Sequence, residues 1–291
     1  MRNRNDRSWG ALFVGPVMLL VGLYLVYPTI STIYLSFLDR RSEQFVGLAN
    51  YINVFTSGET LTALRNNLLW LVVFTAGTVI LGLTLAILAD RVKYEAVAKS
   101  VIFLPMAISF AGAGVIWKFV YAYNPPGIEQ IGLLNQVVTS LGLEPVGWLI
   151  AKPWINNLAL VAVGIWIWTG FCMVIISAAY KGIPRELLES ARVDGANEWQ
   201  VFRGISLPSL APTLAVVTTT MVINVLKVFD IVYVMTNGNF DTEVMANRMY
   251  KEMFAFRNYG QASAIATLLF LAILPLMLIS IKRFQGQEAK R

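Results

Sequence analysis

The sequence has no histidine and a single cysteine, Cys172. The first absence removes the commonest general base and metal ligand. The second excludes a disulfide framework or a cysteine metal cluster within the chain. No G-x-x-x-x-G-K-[ST] phosphate loop is present either, so ATP binding of the usual kind is excluded. Charge is scarce as well: 14% of residues, where soluble domains carry about 25%. What is abundant is apolar surface. A compact soluble core could not hide a chain of 291 residues that is 57% hydrophobic, so lipid is the expected solvent. The net charge of +6 could suggest nucleic acid. Its lysines and arginines sit in short blocks between apolar stretches, however, which is the pattern of topogenic signals, and no nucleic-acid partner is expected.

Six stretches reach the roughly 20 apolar residues that cross a hydrocarbon core. They lie near 9–37, 68–89, 101–122, 155–180, 209–235 and 262–281. The basic start (MRNRNDR) and the apolar run behind it resemble a signal peptide, but no small-x-small cleavage site follows. An uncleaved first span is expected. Pro16 and Pro28 in that span, and Pro105 in the third, predict kinks. If the N-terminus is cytoplasmic, the inside segments are 1–8, 90–100, 181–208 and 282–291. They hold fourteen Lys and Arg, against seven in 38–67, 123–154 and 236–261. Both termini are therefore expected inside. The organisation is a cytoplasmic N-terminus (1–8), a transmembrane domain (9–281) containing the loop 181–208, and a cytoplasmic tail (282–291). Tyr27, Trp70, Trp117, Tyr121, Trp154 and Tyr180 fall at predicted span edges, where interface anchoring accounts for most of them.

The loop KGIPRELLESARVDGANEWQVFRGISLP (181–208) reads as two short helices around a turn. Pro184 suits a first helical turn. Leu187, Leu188 and Ala191 form an apolar strip, and Asp194-Gly195 is a turn signal. Trp199 and Phe202 share a face, and Pro208 opens the fifth span. By composition alone the segment could be an amphipathic loop on the membrane surface. Its spacing adds a sharper reading. Glu189-Ser190-Ala191, then Gly195, then Ile205, Leu207 and Pro208 resemble the EAA motif of importer permeases in the ATP-binding cassette superfamily, with Ser190 the one departure. The segment FVGLANY (45–51) and the run 227–264 resemble the sugar branch of that family, the MalF type. There Asn237-Gly238-Asn239 replaces the usual Gly-Gly-Pro, and the form of the run is closest to the alpha-glucoside permeases of the AglF type. The likeness extends from about 11 to 285.

That resemblance implies an all-α permease of the type I importer fold, with about six transmembrane helices and no enzymatic activity of its own. It implies that Glu189, Ser190, Ala191, Asp194 and Gly195 couple the chain to separate ATPase subunits, which would bind ATP and magnesium; no cofactor is expected in this chain. The implied partners are a second, related permease, two ATP-binding subunits, a periplasmic or lipid-anchored sugar-binding protein, and membrane lipid. The implied location is the bacterial cytoplasmic (inner) membrane. The implied substrate is an alpha-glucoside such as sucrose, trehalose or maltose, or a glucosylglycerol-type osmolyte.

A sugar needs aromatic faces and hydrogen-bonding groups. Trp166 and Trp168 point about 200° apart on a helix, so at most one faces a pathway; Trp168 is the candidate. Asn224, Lys227 and Asp230 recur every three residues along one face of the fifth span, with Lys227 and Asp230 placed to pair. Asn224 fits the position where the resembled sugar permeases use an amide. The alternatives are a structural ion pair and aromatic packing. At the level of the whole chain, the alternative is an ion-coupled secondary transporter. That would be expected to carry an internal repeat and buried acids, and here Asp230 alone qualifies.

Overall fold

The computed structural model describes residues 14–288. In chain order the helices are α1 (Val14–Leu35), α2 (Ala49–Thr56), α3 (Gly58–Ala89), α4 (Glu95–Ala107), α5 (Phe110–Val120) and α6 (Leu133–Ser140). They continue with α7 (Ile155–Lys181), α8 (Arg185–Val193), α9 (Glu198–Leu226), α10 (Asp230–Met235), α11 (Met245–Tyr250) and α12 (Tyr259–Glu288). Among the described residues there is no strand, only an isolated bridge between Leu38 and Phe45. The expected segment 1–8, the start of the first span at 9–13 and the tail end 289–291 lie outside the described residues.

Helices α1, α3, α7 and α9 are each long and apolar enough to cross a membrane. The expected third span is a bent pair, α4 and α5, meeting at 99°. Pro105 sits in the 3-10 turn that closes α4, and Ser109 restarts the chain by capping α5, its Oγ accepting from Gly112 N at 3.1 Å. A proline denies its N–H to the preceding turn and crowds it, and the chain turns there. The expected fifth span is corrected at both ends. Helix α9 begins within the loop, at Glu198, and stops at Leu226, before a second start at Asp230. The sixth expected span is the apolar first part of α12 (Tyr259–Pro275) continued to Glu288.

Two prolines show how such helices stay continuous. Pro28 and Pro208 each stand two residues past a π-helical turn, Gly22–Val26 and Phe202–Ser206. The wider turn makes room where the proline ring presses on the turn before it.

The described residues form two compact bodies. One comprises 14–58 with 248–271. Its α1 has no buried residue. The FVGLANY segment is explained here: Asn50 Nδ2 donates to Ser36 O (2.8 Å) and Leu38 O (2.7 Å), and the Tyr51 hydroxyl bonds Ser36 Oγ (2.6 Å). Phe37 stacks on Phe45 and leans on Tyr51. Backbone N–H groups of Glu43 and Gln44 hold the Asp39 carboxyl below the usual carboxylate range.

The other body comprises 59–247 with 272–288. Its axis is α7, where Leu160, Ile167, Met173 and Ile176 are fully buried. In lipid, apolar surface gains little by leaving its solvent, so helix association rests on close packing. Gly82 of α3 meets that demand: a side chain there would stand 2.6 Å from Cys172 Cβ of α7. Trp70 and Tyr121, expected at the membrane interface, are 1% and 5% exposed. Tyr121 donates to Ala159 O (3.1 Å) and packs between Trp117 and Trp148 (ring centroids 5.1 and 6.1 Å).

Candidate functional site

Three features of the second body follow one another along α7. Near its start lies a clamped loop, in its middle a cavity, and at its end the loop 181–208.

The cavity has a volume of about 240 Å³. Trp70 and Phe74 reach it from a π-helical turn of α3, Phe110 from α5, and Gly164 and Trp168 from α7. The break between α9 and α10 supplies Asn224 through Ile231 without Leu226. All four pathway candidates read from the sequence, Trp168, Asn224, Lys227 and Asp230, therefore line one space. Trp168 stacks on Phe110 (5.9 Å, 20°) and meets Phe171 edge-on (5.6 Å). Trp166 lies against Trp117 instead (5.5 Å), so one tryptophan of the two faces the cavity, as the helical spacing requires. Asn224 Nδ2 donates to Thr220 O (3.0 Å).

The expected Lys227–Asp230 pair is not formed. Lys227 is the C-cap of α9 (φ −107°), and Asp230 is the first residue of α10. The i, i+3 geometry that would join them needs a helix through Val228 and Phe229, and the helix ends before them. Acid, base and amide thus stand apart around aromatic walls. Such a space can stack a ring face and offer both signs of charge to hydroxyl groups. Sequence reading missed Trp70, Phe74 and Phe110. The first two are an i, i+4 pair on α3, a visible signal, but one shared with any packed helix face.

The second missed feature is a clamp on residues 236–244. Asn66 Nδ2 donates to Asp241 O (2.7 Å) and Glu243 O (2.8 Å). Asn156 Nδ2 reaches Phe240 O (2.6 Å), and Asn157 Nδ2 reaches Asp241 O (3.2 Å). Asn67 Oδ1 accepts from Met245 N (2.8 Å), while its Nδ2 donates to Val225 O (3.3 Å). All four asparagines are buried. They hold a loop in which Asn237, Phe240 and Asp241 have positive φ (51°, 58° and 61°). Such conformations persist where the surroundings over-determine them.

At the far end of α7, the motif has a local physical basis. Gly195 N donates to Arg192 O (3.1 Å) and Ala196 N to Ala191 O (3.0 Å). This is a Schellman closure of α8, with Gly195 at φ +88° and Ala191 and Ala196 at the two positions that touch. The spacing from Ala191 to Gly195 is thus the spacing from the last helical turn to its left-handed cap. Asn197 and Gln200 then start α9 with a reciprocal capping box (2.9 and 2.8 Å). Pro184 is the N-cap of α8, one residue before the expected first turn. Glu189, Ser190, Asp194 and Gly195 are exposed and Ala191 is half-buried. Leu187 (50%), Val193 (87%) and Trp199 (65%) offer apolar surface outward, while Trp199 and Phe202 share a face, as expected (5.5 Å).

The chain is 60% identical over 280 residues to the osmoprotective compounds uptake permease protein GgtC of Synechocystis sp., covering 96% of this chain and all of that one. It is 48% identical to the alpha-glucoside transport system permease protein AglF of Rhizobium meliloti, covering 95% and 82%. The fold matches a chain of a bacterial ABC transporter that imports the acidic polysaccharide alginate, with a TM-score of 0.80, 22% identity and 96% coverage of each. Residues 78–288 match the family of binding-protein-dependent transport system inner membrane components, and the chain belongs to that family: it is a multi-pass permease subunit of an ATP-binding cassette importer.

Proposed function

We propose that the chain forms one half of the pathway of an ATP-driven importer for a neutral, polyhydroxylated solute, an alpha-glucoside or a glucosylglycerol-type osmolyte. The observation that carries this reading is the convergence of Trp168, Asn224, Lys227 and Asp230, with Trp70, Phe74 and Phe110, on one cavity. The relatives named for alpha-glucoside transport and for osmoprotective compounds support the solute class. Lys227 and Asp230 contribute one charge of each sign, so the wall favours neither an anion nor a cation. The aromatic groups stack the apolar face of a sugar ring, and Asn224 with the two charged groups bonds its hydroxyls.

The rest of the assembly follows. A second related permease completes the pathway, and the exposed α1 is available to it or to lipid. Two separate ATPase subunits bind ATP and magnesium and dock on the surface that Glu189, Ser190, Ala191, Asp194 and Gly195 present. A periplasmic or lipid-anchored binding protein delivers the solute. Both termini lie in the cytoplasm of a bacterial cell, with 1–8 and 282–291 as tails of the transmembrane domain 9–281. Trp168 to Lys181 is thirteen residues, about 20 Å of helix, so one rigid α7 spans the distance from solute to ATPase.

The test is uptake of labelled sucrose, trehalose and glucosylglycerol by the purified importer in proteoliposomes. Asn224→Ala should lower uptake of the native solute about tenfold, the effect of losing one buried hydrogen bond of 1–3 kcal/mol, with subunit assembly intact. Unchanged uptake would remove Asn224 from the pathway. Transport of none of these solutes by an importer active on a charged one would remove the solute class.

A further inference from the structure

Beyond the motif lies a contact system that the coupling residues do not include. The turn 90–95, between α3 and α4, carries Asp90, Arg91 and Glu95. Arg91 Nη2 donates to Glu198 Oε2 at 2.9 Å, across 107 residues. Glu198 is the first residue of α9, and its Oε1 accepts from Arg192 Nε at 2.7 Å, in the last turn of α8. One carboxylate therefore holds both short helices of the loop to the end of α3. Glu95, the first residue of α4, repeats the arrangement. It accepts from Lys181 Nζ (2.6 Å), where the loop leaves α7, and from Lys99, which also bonds Ser177 of α7. Asp90 stands 3.7 Å from the same Lys181. Each shared carboxylate sits at a helix N-terminus, where the peptide dipoles favour negative charge.

Behind these contacts packing is incomplete. A groove of about 330 Å³ separates the end of α3, at Leu83 and Leu88, from Trp199 and Phe202 of α9, and Arg91, Arg192 and Glu198 line it. The ion pairs of Glu198 with Arg91 and Arg192 lie along its wall.

We propose that the 90–95 turn is a charge-keyed strut that fixes the 181–208 loop to the second and third spans, with Glu198 and Glu95 as its positioning residues. Motion of α8 and the start of α9 then reaches α3 and α4 directly, as well as along α7 and α9. Single exposed ion pairs contribute little to stability. Their role here is geometric: two anchor points, at the loop's origin and its midpoint, from one six-residue turn. The proposal rests on the reading of this loop as the coupling element.

The test measures solute uptake per ATP hydrolysed by the purified importer in proteoliposomes, at matched subunit assembly. Glu198→Gln should lower that ratio about fivefold or more, in the range of a coupling free energy between sites, with ATP hydrolysis retained. Cys172 is buried and free, so an Arg91→Cys/Glu198→Cys pair can be bridged selectively by a short bismaleimide. The unbridged pair should show the same loss, and bridging should restore the ratio. A Glu198→Gln importer with an unchanged ratio, or a bridged pair that hydrolyses ATP without uptake, would overturn the strut. A wild-type chain whose uptake needs no ATP hydrolysis would instead overturn the coupling reading itself.

Discussion

Single residues carry much of this structure's logic. Gly195 is required because the closure of α8 places it at φ +88°, a conformation that costs residues with a β-carbon about 1–2 kcal/mol. Gly195→Val should therefore fray the last turn of α8 while leaving the membrane body intact. The expected outcome is normal insertion, with solute-stimulated ATP hydrolysis lowered severalfold. Stimulation equal to wild type would show that the ATPase docks without this turn. The same position illustrates what was legible in the sequence. Glu189, Ala191 and Gly195 were recognisable by spacing, and the helix closure supplies the reason for the spacing of the last two. Trp70 is the opposite case. Its place near a predicted span edge suggested an interface anchor, and it lies buried beside the cavity. Hydropathy registers where an apolar run ends, and it does not register whether the ring points to lipid or to a neighbouring helix.

At the scale of elements, apolar run length located the spans and missed where the chain turns within them. The 99° bend between α4 and α5 and the break between α9 and α10 both occur inside continuous apolar runs. Pro105 announced the first in part. The second has only Lys227 and Asp230 to mark it, and these looked like a pair on one helix face. The clamp on 236–244 was illegible for another reason. Its asparagines act across 84 to 178 residues, and a local pattern carries no such pairing. Two Asn-Asn pairs, 66–67 and 156–157, were its only trace. Asn66 bonds the buried Glu243 carbonyl, and it shares the Asp241 carbonyl with Asn157. Leaving a buried carbonyl unpaired costs roughly 1–3 kcal/mol. Asn66→Ala should thus lower the thermal unfolding temperature in detergent more than Asn157→Ala, and expose 236–244 to protease first. Equal stability of both variants and the wild type would mean that the loop holds its shape without the clamp. The contact of α3 with α7 gives a second check. Gly82→Val places methyl groups into Cys172 and the adjacent backbone, and overpacking of this kind costs roughly 1–3 kcal/mol. Its melting temperature should fall, while an alanine-to-valine change on the exposed face of α1 should leave it unaltered.

For the molecule as a whole, the cavity and the 181–208 loop are joined by α7 and α9, with the 90–95 turn in contact with the loop as well. A permease of this kind has to link a solute site to an ATPase some distance away. On the proposed reading, that link consists of the helices α7 and α9, with ends tied by caps, shared carboxylates and one left-handed glycine. The central claim is that this chain works as the permease half of an ATP-driven importer of a neutral glucoside or osmolyte. The most direct measurement is ATP hydrolysis by the importer purified from gently solubilised membranes through a tag on this chain. It is assayed with the binding protein, with and without sucrose, trehalose and glucosylglycerol. The account predicts that ATP-binding subunits and a second permease co-purify, and that one of these solutes raises hydrolysis severalfold, an effect lost in Gly195→Val. A chain that purifies without an ATPase, under conditions that keep a known importer whole, would contradict it.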